Sequence, residues 1–220
     1  HKYNDKGELV EEWQDGFWSP TTILGIRHNK GLQGWREYMI QKALLNGELD
    51  GIASVNDYVQ VSSDSGTRIH DSIEHFLLTG DMITYEEDLP KILGFLNWYD
   101  KYEPLTIETE LFCRSEKHKY AGRIDWIGVI DGMAWIVDWK SGGQQDDHEL
   151  QLSAYREAYY EMTGIWCRIG SLTLKTKNKQ GYAFKEYAGD FEMFLHHKAI
   201  FEWSVKKNPP RRPTQYATLS

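Results

Sequence analysis

The stretch Gly122-Arg-Ile-Asp-Trp-Ile-Gly-Val-Ile-Asp-Gly-Met-Ala-Trp-Ile-Val-Asp-Trp-Lys140 decides how this chain folds. Its middle, Asp131-Gly132, sits between two apolar, aromatic-rich runs. That dipeptide is the strongest short-range signal for a two-residue β-hairpin, because both turn residues must take positive φ. With Asp131-Gly132 as the loop, Ile130 pairs with Met133, and counting outward sets Asp125 opposite Asp138. Directly opposed side chains have Cβ atoms roughly 4.5–5.5 Å apart, where like charges repel. Two carboxylates so placed imply a cation between them. Lys140 lies two residues beyond Asp138, so strand alternation puts its ammonium on the same face.

Outward from the hairpin, residues 105–114, 119–130 and 133–140 read as three consecutive strands. A helix over 147–163 opens on Asp146-x-x-Glu149, a capping-box start, and ends at Gly164. Strands over 166–176 and 181–188 and a helix over 190–207 follow. Upstream the period is helical: Ser19-Pro20 opens a helix, and patterns follow at 32–46, 49–60, 67–78 and 87–101. The Ser62–Gly66 run is expected to end the second of these. Residues 1–18 read as a polar lead-in and Pro209–Arg212 as an irregular tail. This order predicts an α/β fold with a mixed sheet flanked by helices. Its expected divisions are an N-terminal lead-in with helices over 1–65, a core over 66–208 and a tail over 209–220.

The 220 residues carry 33 acidic against 25 basic side chains, a net charge of −8, which argues against broad electrostatic adhesion to nucleic acid. A local basic channel remains compatible with that, because bound metal neutralises acids. Nine tryptophans and thirteen tyrosines supply a large core. No apolar run approaches the roughly 20 residues of a membrane span. Cys113 and Cys167 form no CxxC pair, which excludes a four-cysteine zinc or iron–sulfur site and fits a reducing, intracellular compartment. The chain opens at His1 without a methionine, so targeting is unreadable.

Hydrolysis of a phosphodiester at neutral pH needs a hydroxide and neutralisation of transition-state charge, and a divalent ion supplies both. Carboxylate oxygens suit Mg²⁺, and Mn²⁺ also accepts imidazole. Asp125 and Asp138 are the core ligands of such a site, with the carbonyl of Trp139 as a third. Lys140 orients or deprotonates water, or stabilises developing charge. On the helix over 67–78, Ile69, Ile73, Phe76 and Leu77 form the buried stripe, and His70 and Glu74 flank it together. His70 reads as a metal ligand or as a half-buried packing histidine; His75 points elsewhere. Glu110 falls opposite Asp125 if Glu116–Lys119 is a four-residue loop, and Glu108 shares its face. Either completes an acidic cluster or solvates an edge.

Gln151 and Tyr155 lie one helical turn apart, placed to contact a phosphate or base, or to pack on the sheet. Lys175, Lys177 and Lys179 near a strand end, Lys117 and Lys119 in a hairpin loop, and Lys206, Lys207, Arg211 and Arg212 near the terminus are candidate phosphate contacts. Trp18 and Trp35 stack on unpaired bases if they are exposed, and otherwise pack in the core.

Taken together, Gly66…His70…Glu74, Gly122…Asp125, Asp138-Trp-Lys140 and Gln151…Tyr155 resemble the PD-(D/E)XK nuclease superfamily, and within it the RecB-type exonuclease group. Ser19-Pro-Thr-Thr-Ile-Leu is similar to the Ser-x-Thr-Thr-Ile-Leu opening of many small members. The resemblance covers about residues 19–188 and rests on motif order. It implies a restriction-endonuclease-like αβββαβ core binding one or two Mg²⁺ or Mn²⁺ ions through His70, Asp125 and Asp138, to which the strand register adds Glu110 as a candidate ligand. Lys140 would be the catalytic lysine, Gln151 and Tyr155 would hold the DNA strand, and the N-terminal helices would form an arch or cover over the site; Lys175 and Lys177 are added as phosphate contacts from their place in a charge run. The implied activity is exonucleolytic hydrolysis of single-stranded DNA or DNA ends, in repair or recombination. The alternatives are a structure-specific or flap endonuclease of the same fold, or a non-catalytic DNA-end-binding module. The iron–sulfur cluster of several members is not expected here, and nothing in the sequence names a protein partner.

Overall fold

The computed structural model describes residues 1–26, 30–48, 50–142, 147–174 and 177–212. The polar lead-in carries two short strands. β1 (Lys2–Tyr3) and β2 (Phe17–Trp18) pair antiparallel, and Trp18 joins Tyr120 in parallel. Strands of two residues show no periodicity, so the sequence pattern passes over them. Aromatic contacts anchor them, with buried Tyr3 tilted against Phe112 at 5.7 Å and Trp18 edge-on to Phe201. α1 (Pro20–Leu24) starts as expected, its N-cap Ser19 accepting from the Thr22 amide at 3.1 Å, a contact worth about 1 kcal/mol.

α2 (Lys30–Leu45) packs on α3 (Gly51–Thr79). The expected break at Ser62–Gly66 does not occur: α3 runs through it for 29 residues. A mid-helix glycine costs about 1 kcal/mol relative to alanine, and the neighbouring tertiary contacts offset that cost. Ser65 Oγ donates to Asp88, and Arg68 Nε donates to the same buried carboxylate at 2.8 Å. Those contacts reach across to the turn Glu86–Asp88, a long-range effect that composition alone does not reveal. The helix also crosses the 65/66 division expected between cover and core. It ends at Gly80, left-handed at φ 80°, whose amide bonds to Phe76. α4 (Leu89–Tyr102) follows.

β3 (Leu105–Ser115), β4 (Tyr120–Ile130) and β5 (Met133–Lys140) form the antiparallel meander. Asp131 and Gly132 take φ 50° and 75°, as the two-residue turn requires. The register runs from Ile130↔Met133 to Trp126↔Val137, the last paired rung before Asp125 and Asp138. Ser115↔Tyr120 closes the other hairpin with the four-residue loop Glu116–Lys119.

α5 (Asp147–Thr163) crosses over to β6 (Arg168–Leu174), parallel to β5, and β7 (Tyr182–Tyr187) pairs antiparallel with β6. α6 (Phe191–Lys207) is the last helix among the described residues. Asp146, expected to cap α5, lies outside the described residues. The tail from Pro209 to Arg212 is irregular, as expected. The result is a mixed sheet ordered β1-β2-β4-β5-β6-β7, with β3 on β4, and helices on both faces.

β4 and β5 are covered on both faces, which is why they read as near-continuous apolar runs. On one face Trp126, Trp135, Val137 and Trp139 meet Ile69 and Ile73 of α3 and Phe95 and Trp98 of α4. On the other, Ile124, Ile127 and Ile136 meet α1, α5 and Phe194 of α6. Asp138 and Lys140 alternate with Val137 and Trp139 and therefore emerge on the Ile136 side, against α5.

Candidate active site

The hairpin opens where its charges begin. Beyond the rung Trp126↔Val137, the Asp125 carboxylate takes the Trp139 amide as a 2.8 Å donor in place of a ladder bond. Asp138 is 2 % exposed. Its Oδ1 accepts from Gln151 Nε2 at 3.1 Å, and its Oδ2 forms an ion pair with Lys140 Nζ at 2.7 Å without an aligned hydrogen bond. The two aspartates and the lysine therefore meet, as the register predicts.

α3 brings His70 over the opened hairpin. Its Nε2 contacts the Trp139 carbonyl at 3.0 Å, and its Nδ1 lies 3.6 Å from Asp125 Oδ2. With Nε2–H donating to the carbonyl, Nδ1 holds the lone pair. The Trp139 carbonyl, a candidate ligand on sequence grounds, is thus engaged by His70.

Glu110 enters from β3. The rungs Thr109↔Trp126 and Leu111↔Ile124 flank it, so it lies beside Asp125. Its backbone is left-handed, at φ 50°. Glu108 is exposed and pairs at Ile127. Glu74 receives a 3.4 Å bond from Thr109 Oγ1. His70, Glu110 and Asp125 each offer a ligand atom, all within 4.8 Å of one another. One imidazole nitrogen and two carboxylates suit Mn²⁺ well and Mg²⁺ acceptably. The buried Asp138 Oδ2, lacking an aligned donor, adds an electron-rich neighbour. These residues fit a divalent cation. Asp138 stands beside the trio, its oxygens held by Lys140 and Gln151.

Electrostatics agree with the donor set. Burial first, then the Asp125 charge, pushes Glu110 up to about 7. Burial first, then Asp138, pushes Asp125 up to about 6. Burial alone lowers Lys140, but the carboxylates of Asp138 and Asp125 outweigh it and raise its pKa above the ordinary lysine value. Lys140 is therefore an ammonium at neutral pH in this arrangement, suited to stabilising charge rather than taking a proton.

A pH dependence follows. Between pH 4 and 7 the folded state holds protons on Asp125 and Glu110 that the unfolded chain has released. Stability without metal therefore falls as pH rises through that window. EDTA-treated protein should melt at lower temperature at pH 7 than at pH 4.5, and Mn²⁺ should restore the loss at pH 7. A flat EDTA profile would show that the acids are not compressed in solution.

Gln151 and Tyr155 are buried, and the Gln151 amide also reaches the Tyr155 hydroxyl at 3.2 Å. They brace Asp138 from beneath. A Cβ on Gly122 would stand 2.7 Å from Tyr155 Cε1, so the bare backbone at 122 makes room for this ring. Lys177 is exposed, and Lys175 lies outside the described residues. Trp18 packs edge-on to Phe201 at 5.2 Å, and Trp35 lies against Tyr58; the pattern gave no way to separate such packing from stacking on bases.

Two cavities meet at the site. One, of about 780 Å³, opens over His70, Glu110 and Arg123 with Ser62, Thr67 and Glu74. The other, of about 440 Å³, lies beyond Lys140 and Gln151 and is lined by Thr21, Ser141 and His148. Sequence reasoning missed Arg123 and His148. His148 is buried, and burial first, then Lys140, lowers its pKa. Its position three residues before Gln151, on the same helical face, was the available signal.

No protein-family model and no curated protein matches the chain. Among solved structures, it is similar to an alkaline exonuclease from Laribacter hongkongensis at 11 % identity and TM-score 0.38, over 63 % of this chain and 78 % of that one. It is also similar to a protein from Eubacterium rectale, provisionally described as an exonuclease, at 11 % identity and TM-score 0.35, over 89 % of this chain and 68 % of that one. The mixed α/β fold and the geometry of the site stand on their own.

Proposed function

We propose that this chain is a divalent-metal-dependent nuclease of the PD-(D/E)XK type, acting as an exonuclease on single-stranded DNA or DNA ends. The observation that carries the reading is the meeting of His70, Glu110 and Asp125 beside the Lys140–Asp138 ion pair. Ordinary hairpins do not bury opposed carboxylates, and an ion that repays their desolvation is the economical explanation. No helix among the described residues is long and apolar enough to cross a membrane.

In this mechanism His70, Glu110 and Asp125 would hold the cation, with Asp138 beside them. When bound, it would acidify water and act as Lewis acid toward the phosphate. Asp125 is fixed by the Trp139 amide and His70 by the Trp139 carbonyl, so one residue of β5 sets two ligands at once. Gln151 fixes the Asp138 carboxylate. Lys140 places an ammonium beside it, a preorganised charge for a phosphate oxygen.

The test is digestion of end-labelled single- and double-stranded linear DNA with Mg²⁺, Mn²⁺ or EDTA, alongside a circular single strand. Linear single strands should be degraded with metal and spared with EDTA, and circles should stay intact. Cleaved circles would assign an endonuclease of the same fold, and no metal-dependent cleavage of any substrate would sink the reading.

A further inference from the structure

We propose that Arg123 is the positioning residue of the cation site: its guanidinium, bonded to the main-chain carbonyl of Glu110, holds that residue in the left-handed backbone from which its carboxylate meets His70 and Asp125. The inference rests on reading the trio as a cation site. Arg123 Nη1 donates to the Glu110 carbonyl at 3.0 Å.

Glu110 is a non-glycine residue at φ 50° within a strand. Such a conformation persists only where its surroundings over-determine it, and it clusters at functional sites. Regular rungs hold the chain on both sides, at Thr109↔Trp126 and Leu111↔Ile124. Between them the Glu110 peptide leaves the ladder, and its carbonyl needs another donor. Arg123, on the rung Phe112↔Arg123, supplies it.

The same guanidinium reaches the Gly7 carbonyl at 3.5 Å, and Arg114 Nη1 donates to the Asp5 carbonyl at 2.9 Å. The segment after β1 is thereby tied to the strands that carry Glu110. An arginine lining this cleft has an obvious rival role as a contact for substrate phosphate. The two roles separate in what they control, since a positioning residue acts on the cation without DNA present.

The experiment is calorimetric titration of Mn²⁺ alone into the full chain, as wild type, Arg123→Gln, Glu110→Gln and the double variant. Arg123→Gln should weaken Mn²⁺ binding about tenfold, the usual scale for a residue that supports a ligand. The double variant should bind as weakly as Glu110→Gln alone, because the arginine acts through the glutamate. Wild-type Mn²⁺ affinity in Arg123→Gln would overturn the proposal, as would an equal further loss in the Glu110→Gln background. An Arg123→Gln protein that keeps its Mn²⁺ affinity but binds DNA more weakly in Ca²⁺ would give the arginine to substrate phosphate instead. Should Arg123→Gln fail to fold, Arg123→Lys keeps a cation and a donor and should fall between wild type and Glu110→Gln. A wild type that binds no Mn²⁺ defeats the cation reading itself, whereas normal wild-type binding with an unaffected variant defeats only the role of Arg123.

Discussion

Lys140→Ala should lower single-turnover cleavage by about 10²–10³-fold at saturating Mn²⁺, the scale for removing one preorganised donor from a developing charge. The Mn²⁺ dissociation constant should hardly move, because Lys140 lies outside the trio formed by His70, Glu110 and Asp125. The protonation state of Lys140 decides the size of the effect. Asp138 and Asp125 outweigh burial and raise the Lys140 pKa, so the group that is lost is a cation. Its partner Asp138 Oδ2 is then buried without any donor, and the variant should lose about 1–3 kcal/mol of stability at neutral pH, the usual cost of such an orphan. Rapid-quench cleavage, Mn²⁺ titration and thermal melts separate the three effects. A full loss of Mn²⁺ binding would place Lys140 in the wrong role, and unchanged cleavage would remove it from the chemistry.

Much of this site was legible because its hairpin leaves little choice. Asp131-Gly132 admits one turn, and that turn fixes which residues face each other out to Trp126↔Val137. Glu110 follows from counting the other hairpin, once its loop is four residues long. Local pattern failed where the deciding contact is remote in sequence. Ser62–Gly66 has loop composition, yet the carboxylate of Asp88, buried beneath Arg68, keeps it helical. The strands at Lys2–Tyr3 and Phe17–Trp18 exist through pairing and aromatic contact rather than propensity. The left-handed Glu110 is a tertiary outcome as well, since glutamate has no intrinsic preference for that backbone. Gln151 and Tyr155 show a further limit. Their spacing placed them together, but only the fold turned both inward onto Asp138 instead of outward to solvent.

Asp125→Asn should abolish detectable cleavage and, in EDTA, make the protein more stable. Both outcomes follow from one carboxylate. Burial first, and Asp138 second, push Asp125 from 3.8 to about 6, so the folded chain binds that proton more tightly than the unfolded chain does. The Asp125 contribution to wild-type stability therefore falls as pH rises from 4 to 6 and stays at the lower level above it, while Glu110 extends the fall of the whole protein to about 7. Asparagine carries no such proton, and its side-chain oxygen still accepts from the Trp139 amide, which Asp125 meets at 2.8 Å. About two pKa units at 1.36 kcal/mol each set an upper scale of about 3 kcal/mol for the gain at pH 7.5. The gain should shrink to nothing at pH 4, where the wild-type proton is already bound. Saturating Mn²⁺ should invert the order, because only the wild type keeps both carboxylates of the trio and gains their binding energy. Melting temperatures of the two proteins at pH 4 and 7.5, with EDTA or Mn²⁺, test the whole cycle. Equal stability at pH 7.5 in EDTA would mean that Asp125 is not held at a cost, and surviving cleavage would remove it from the metal site. A protein that gives up stability in its empty site and recovers it on binding metal has its acids placed for the cation rather than for the fold.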